Sequence, residues 1–366
     1  MNHLDLKILF GVAAPTARGG INACEPPFIA ALRSLGVECI EEQYLFDNDS
    51  STSLFQRIKQ VVKATRKLKR ITEHQQIDLI HLNSSFEVRS ILRDSFCVLF
   101  LGHSKKIFLK FHGSEPYILK NRNYMIRILA RLLIKRCAAI GVLSSEEKKE
   151  FIALGVPETK IRIIKNSVVA PSVFEQTVRT EGTSRLLFVS RLVSTKGLDD
   201  AIRTLKILRG MEIHAHLDVL GDGESRSDAE DLAKELGVED QVTFHGHVSE
   251  SEVARFYTKV DLLFFPTKHA EGFPMVIFTA LSYGLPIITT KIRAMADYLV
   301  DGSQAIFVSS NDPNDCAAKI SSLLRNPTLM QQMSENAKKL AEHFYPERIA
   351  SEYIDTYKEL LGRDGD

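Results

Sequence analysis

The sequence predicts an α/β protein made of two doubly wound parallel-sheet domains that face one another across a cleft. Three observations lead there. The chain has 366 residues, long for one core but comfortable for two domains of roughly 170 to 190 residues each. Short β-branched runs alternate with amphipathic stretches of helical length, the pattern of βαβ units and of sheets covered on both faces. The rhythm breaks once, at "SVVAPSVFEQTVRTEGTS" (167–184), where Pro171, Gly182 and polar residues read as a linker, and then it restarts. The expected domains are residues 1–170 and 171–345.

In the first half the predicted strands are "KILFGV" (7–12), "DLIHLN" (78–83), "KIFLKF" (106–111), "AAIGVL" (138–143) and "IRIIKN" (161–166). A helix spans 22–35, and further helical stretches lie between the strands. In the second half the strands are "RLLFVS" (185–190), "HLDVLG" (216–221), "QVTFHG" (241–246), "DLLFFP" (261–266), "LPIITT" (285–290) and "AIFVSS" (305–310). Helices over 197–209, 225–236, 249–258 and 274–283 separate the first five of these. The C-terminal stretch is helical throughout, and Pro346 suits the first position of "PERIASEYIDTYKELL". This last helix, about 346–362, is expected to pack back on the first domain.

A hydrophobic content of 44% and a charged content of 25% are those of an ordinary globular chain, without the signature of disorder. No apolar run approaches the roughly 20 residues that cross a bilayer, and "MNHLDLKILF" lacks the apolar core of a signal peptide, so a cytoplasmic location is expected. The five cysteines are scattered and never form C-x-x-C, which disfavours a disulfide framework or a zinc knuckle. Net charge is +1, yet residues 1–170 hold 26 Lys/Arg against 16 Asp/Glu, leaving 21 against 30 for the rest. The first half is basic and the second acidic.

Two segments carry the chemistry. In "HAEGFPMVIFTALSYGLPIITT" (269–290), Pro274 suits a helix start and Gly284 its C′ position. The loop before Pro274 delivers Glu271 to the mouth of the sheet, and the unpaired N–H groups near Phe273 to Val276 favour an anion. The same pattern also fits a plain loop before a buried helix. In "LLFVSRLVSTKGLDDAI", Arg191 and Lys196 project from one strand-to-helix loop, a pair of cations suited to a diphosphate; a solvated loop is the other reading.

Together, and in this order, these segments resemble the retaining family 4 glycosyltransferases of the GT-B fold. Their "G-R-L-x-x-x-K-G" element corresponds to residues 190–197, with Ser190 in place of the first glycine. Their E-x7-E element corresponds to Glu271 through Ile287. "NSVV" (166–169), "VLGDGES" (219–225), "VTFHGHVSESEV" (242–253) and "YPERIASEY" also match, so the similarity covers the whole chain and is most specific in the second half.

The resemblance implies a first domain that binds the acceptor and a second that binds a nucleotide-sugar donor, UDP- or GDP-linked, with no cofactor and no metal. Arg191 and Lys196 would bind the donor diphosphate and stabilise charge on the leaving group. Glu271 would hold hydroxyls of the transferred sugar, and the helix start at Gly272, Phe273, Pro274, Met275 and Val276 would touch phosphate. Val248 would flank the nucleobase, with Asn166 and Gly221 also in the donor site. His112, in "KFHGSEP", matches the acceptor-domain histidine near the reacting sugar carbon, although a lone histidine is more often structural. Gly19 and Gly20 match the glycine loop after the first strand; they do not make G-x-G-x-x-G, which disfavours nicotinamide binding.

One position departs from the pattern. The second glutamate of E-x7-E falls on Thr279, and a ribose that expects a carboxylate meets a short neutral hydroxyl. A catalytically impaired nucleotide- or sugar-binding subunit is therefore the alternative to a working hexosyltransferase. His214-x-His216 and His245-x-His247 each suggest two imidazoles without a third metal ligand, and "DND" (47–49) reads as a turn. The expected acceptor is a glycan or lipid-linked intermediate of polysaccharide or lipopolysaccharide biosynthesis. "RIKQVVKATRKLKR" (57–70) has seven basic residues and no acid, and "ILKNRNYMIRILARLLIKRC" repeats the theme. Such helices fit an anionic membrane surface on the inner face of the cell membrane, or a helix packed on a sheet. Nucleic acid is disfavoured, since no aromatic residues interleave the charges as in a base-stacking platform.

Overall fold

The computed structural model describes residues 6–14, 20–46, 53–102, 105–171 and 182–363. The chain divides into two compact units, Met1–Ser167 with Phe344–Asp366, and Val168–His343.

The first unit holds a six-stranded parallel sheet: β1 (Lys7–Ala13), β2 (Glu38–Leu45), β3 (Leu79–Phe86), β4 (Lys106–Ser114), β5 (Ala139–Val142) and β6 (Ile161–Ile163). Its order is β2-β1-β3-β4-β5-β6. Between the strands run α1 (Gly20–Ser34), α2 (Leu54–His74), α3 (Val88–Leu101), α4 (Tyr124–Arg136) and α5 (Ser145–Ala153). Buried Leu9, Ile80, Leu82, Leu109 and Ile140 on the strands and Leu68, Ile91, Val98 and Leu133 on the helices join one core cluster. At about 25 cal/mol per Å², apolar burial of this kind supplies most of the force that folds the unit.

β2 is missing from the strands read in the sequence. Its residues "ECIEEQYL" mix charged and apolar without a period-two pattern at the sheet edge, and Tyr44 is its one buried side chain. Three glutamates in eight residues oppose a strand assignment, but an edge with one solvated face accommodates them.

In the second unit the sheet comprises β7 (Ser184–Val189), β8 (Ala215–Leu220), β9 (Val242–Gly246), β10 (Leu262–Phe265), β11 (Ile287–Thr289) and β12 (Ala305–Phe307). The order is β12-β11-β10-β7-β8-β9, all parallel. Helices α6 (Leu198–Gly210), α7 (Arg226–Glu235), α8 (Glu250–Tyr257), α9 (Met275–Ser282), α10 (Ala294–Tyr298), α11 (Pro313–Leu324) and α12 (Pro327–Ala341) cover it. These are two doubly wound sheets, as expected. A last helix, α13 (Pro346–Leu361), packs on α1 of the first unit, burying Tyr353 and Tyr357.

In each sheet the strand order reverses once, between β1 and β3 and between β7 and β10. Loops leaving the carboxyl ends of the two strands at such a point diverge to opposite faces and leave a crevice where ligands bind.

Candidate active site

In the second unit the reversal brings the two sequence segments together. The loop after β7 carries Arg191 and a short 3-10 turn, Ser194–Lys196; the loop after β10 carries Thr267 to Pro274. The Lys196 ammonium donates to Oε1 of Glu271, and both side chains are 14% exposed. Backbone bonds zip the loops: the Lys268 N–H donates to the Thr195 carbonyl at 2.8 Å, and the Glu271 N–H to the His269 carbonyl at 2.8 Å. Thr267 Oγ1 lies 3.4 Å from both the Thr195 carbonyl and Glu271 Oε1, and accepts from the His269 N–H at 3.1 Å. Lys268 turns away to Asp199 at 2.9 Å and Asp200 at 3.3 Å. Lys196 and Glu271 are thus held as a pair, while exposed Arg191 makes no side-chain bond among the described residues.

Gly197 caps α6 with φ +81°, and a Cβ there would collide with the Pro266 carbonyl, so the two loops meet through a residue without a side chain. Gly221 has φ +127°, and its Cβ would strike the Ser190 carbonyl oxygen. Its N–H donates to the Gly246 carbonyl at 2.8 Å, tying the loop after β8 to the end of β9. Val248, half-buried, follows in the loop before α8.

Helix α9 is apolar because it is scaffold. Ile277, Phe278, Ala280 and Leu281 are buried, α12 packs against it, and Phe273 stacks on Phe278 at 3.7 Å between centroids. Pro274 is the N-cap, one position before the first helical residue. Met275, Val276, Thr279 and Tyr283 are the half-buried positions and share one helical face. Among the described residues the Thr279 hydroxyl meets no hydrogen-bonding partner; its carbonyl accepts from Ser282 Oγ at 2.7 Å. Glu271 and Gly272 lie half-buried at the loop surface, and Phe273 and Pro274 are buried.

Two residues missed in the sequence belong to this loop cluster. Burial and the cations Lys196, Arg293 and Arg191 hold His269 below the usual imidazole pKa, against the opposing pull of Glu271. Arg293, 6% exposed, follows β11 with φ +46°, a strained conformation for a side-chain-bearing residue. His269 stood inside the quoted motif two residues before Glu271 and could have been noticed; Arg293 has no comparable signal in the sequence.

In the first unit His112 lies inside β4, near its end, whereas the predicted strand stopped at residue 111. Its Nε2 is 2.8 Å from Asn83 Oδ1 on β3. Asn83 Nδ2 donates to Glu25 Oε2 on α1 at 2.9 Å, and the Lys110 ammonium donates to Glu25 Oε1 at 2.6 Å. Burial and the nearby Lys110 and His81 push the His112 pKa well below the ordinary value. Asn83, Glu25 and Lys110 were not read as site residues, because they form a constellation only after β1, β3, β4 and α1 come together. Asn166 is buried beyond β6, its Oδ1 without a partner among the described residues. Gly20 opens α1 and is exposed; Gly19 and the "DND" turn (47–49) lie outside the described residues.

The histidine pairs do not assemble into metal sites among the described residues. His245 Nε2 lies 2.8 Å from Asp218, and His216 Nε2 lies 2.9 Å from Thr243. Cys24, Glu25 and His112 place ligand-type atoms within 4.8 Å of one another. They do not fit a metal, because the Lys110 ammonium already neutralises Glu25 and burial pushes the Cys24 thiol pKa up.

Comparison with known proteins agrees with this geometry. Residues 170–340 match the model for glycosyl transferases group 1, and residues 41–170 match that for glycosyltransferase family 4. The chain is therefore a family 4-type glycosyltransferase of the GT-B fold. An uncharacterized glycosyltransferase of Methanocaldococcus jannaschii is 26% identical over 84% of this chain and 82% of its own. The N-acetyl-alpha-D-glucosaminyl L-malate synthase of Bacillus anthracis is 23% identical over 85% and 82%. Among solved structures, the lipopolysaccharide outer core galactosyltransferase WaaB in its apo form superposes with a TM-score of 0.72 at 20% identity, covering 97% of this chain and 99% of that one. Anabaena HepE in complex with UDP and glucose gives 0.73 at 16% identity, over 97% and 100%.

Proposed function

We propose that this glycosyltransferase moves a hexose from a nucleotide-diphosphate sugar to a glycan or lipid-linked acceptor, retaining anomeric configuration and using no metal or cofactor. The observation that carries the reading is the Lys196–Glu271 contact at the strand reversal of the second sheet. It sets a diphosphate-type cation beside a carboxylate able to hold sugar hydroxyls, the two functions a nucleotide-sugar donor requires. Arg191 and Lys196 take the developing charge of the leaving diphosphate, electrostatic work that a metal performs elsewhere. Glu271 accepts from hydroxyls of the transferred sugar, and the loop from Gly272 to Pro274, with the first residues of α9 at Met275 and Val276, meets phosphate at a helix N-terminus whose dipole favours an anion. Gly221, Val248 and Thr279 complete the donor set of the second unit, and Gly19, Gly20, Asn166 and His112 of the first unit keep the sugar-donor roles that the family resemblance implies.

A UDP- or GDP-sugar is the donor class, supported by the UDP complex of a protein of the same fold. A biosynthetic role in polysaccharide or lipopolysaccharide is supported by the galactosyltransferase of similar fold. The test is release of nucleotide diphosphate from a panel of UDP- and GDP-sugars in the presence of EDTA, followed by NMR of the product's anomeric proton. Inversion, or strict metal dependence, would refute the mechanism. Donor binding without turnover on any acceptor or water would favour the impaired binding subunit that Thr279 suggests.

The same reading includes peripheral contact with an anionic membrane. No described helix is long and apolar enough to cross one. However, α3 exposes Leu92, Phe96, Leu99 and Phe100 along one stripe, and its neighbour α2 exposes Leu54, Phe55 and Ile58. Of the seven cations of α2, Lys69 lies over the Phe100 ring of α3 at 4.7 Å. Exposed apolar rings beside concentrated positive charge complement an anionic lipid surface. Sedimentation with anionic vesicles at low salt is expected; recovery in the supernatant would remove the membrane from the proposal.

A further inference from the structure

The hydrogen bonds around His112 allow one assignment of protons only. A carboxylate accepts and cannot donate, so the Asn83 amide must turn its NH2 toward Glu25 Oε2, 2.9 Å away. Its carbonyl oxygen then faces His112 Nε2 at 2.8 Å, and a carbonyl only accepts. Flipping the amide would set its oxygen against the Glu25 carboxylate, acceptor against acceptor. His112 therefore carries its proton on Nε2, leaving Nδ1 as the lone pair of the ring.

The orientation of Glu25 is fixed in turn. Lys110 binds its Oε1 at 2.6 Å, and these two side chains are 2% and 4% exposed. The ammonium lies over the Phe28 ring at 5.6 Å and the Tyr353 ring at 5.3 Å, so the C-terminal helix closes the far side of the pair. A buried ion pair of this kind is a weak source of stability, since desolvating both charges offsets most of their attraction. Its presence next to the Asn83–His112 contact calls for another reason. The groups facing His112 are Lys110 on its own strand, Glu25 and Cys24 on α1, and His81 and Asn83 on β3.

We infer that Glu25, Lys110 and Asn83 are positioning residues that lock His112 in the Nε2–H form, so that it serves as a neutral hydrogen-bond acceptor through Nδ1 toward a substrate hydroxyl. The inference rests on the transferase reading for its consequence but not for its geometry. The Lys110 cation opposes a second proton on the ring, so His112 neither donates a proton from Nδ1 nor enters the reaction charged.

The test uses the full chain labelled with 15N-histidine. In unliganded wild type, the His112 ring is expected to show a protonated Nε2 and a bare Nδ1 at pH 7, and to stay neutral well below pH 6.5. Asn83→Ala removes the acceptor and is expected to mix the tautomers. With turnover established, it should lower kcat about tenfold with donor KM unchanged, the size of one lost orienting hydrogen bond. Should Glu25→Gln alone fail to fold, the double variant Glu25→Gln/Lys110→Met keeps volume while removing both charges, and it too should lose the wild-type ring signature. A proton on Nδ1 in wild type overturns the inference, as does a folded Asn83→Ala protein with wild-type ring signals and kcat. Because the ring signature is read without substrate, a protein that turns over no nucleotide sugar would sink the transferase mechanism while an Nε2–H ring still supported the positioning of His112 by Asn83, Glu25 and Lys110.

Discussion

Replacing Lys196 by methionine keeps the length of the side chain and deletes its charge, leaving the Glu271 carboxylate without the ammonium that contacts it. Both side chains are 14% exposed, between a surface pair worth about 0 to 1 kcal/mol and a buried pair whose breakage costs about 3 to 5. The stability loss should therefore be on the order of 1 to 3 kcal/mol, small enough to leave a folded protein. Donor affinity should suffer more. A charge-assisted bond to phosphate contributes about 1.5 to 3 kcal/mol, so the Kd for UDP or GDP should rise roughly ten- to hundredfold. A second signal is local: Lys196 is the first charge among those depressing the His269 pKa, so the His269 titration should move up in the variant. Calorimetry with both nucleotides, an NMR titration of His269 and denaturant unfolding separate these effects. An unchanged Kd in a variant whose His269 pKa has risen would show that the ammonium sits beside Glu271 but not in the anion site.

Thr279→Glu should tighten nucleotide binding roughly tenfold or more, because a carboxylate accepts from both ribose hydroxyls where threonine offers one neutral group; unchanged calorimetric affinity would mean that the ribose is held elsewhere. Gly221→Ala should cost several kcal/mol and weaken donor binding together, since φ +127° and the Ser190 carbonyl both reject a Cβ; a wild-type melting temperature would refute that. Acid should destabilise the first unit before carboxylates titrate. His81 and His112 are both held well below 6.5, chiefly by burial. The unfolded chain takes up protons first as pH falls through 6.5, so stability should decline by about 1.4 kcal/mol per pH unit for each histidine. Urea midpoints flat from pH 7 to about 5 would contradict this.

The fold was legible because parallel strands buried on both faces read as apolar runs, as in "DLLFFP" and "AAIGVL". The edge strand β2 was not, since its solvated glutamates obscure the pattern. The donor loops were legible for a similar reason: Arg191, Lys196 and Glu271 stand in short segments whose spacing is visible in one dimension. The surroundings of His112 were hidden. Glu25 sits in a helix containing Pro26 and Pro27, and Lys110 inside a strand, where a lysine normally signals solvent. Only the crossing of β4 over α1 shows that the two neutralise each other. Thr279 was visible from the start, and the structure now places it on the half-buried face of α9 with Met275, Val276 and Tyr283.

The most direct measurement is turnover of UDP- and GDP-sugars by wild type and Lys196→Met in parallel, with EDTA present and nucleotide diphosphate release as the readout. Release from at least one donor by wild type, reduced at least about tenfold in the variant under subsaturating donor, is the predicted result. Absence of both binding and release for every donor, or equal rates in the two proteins, would contradict it.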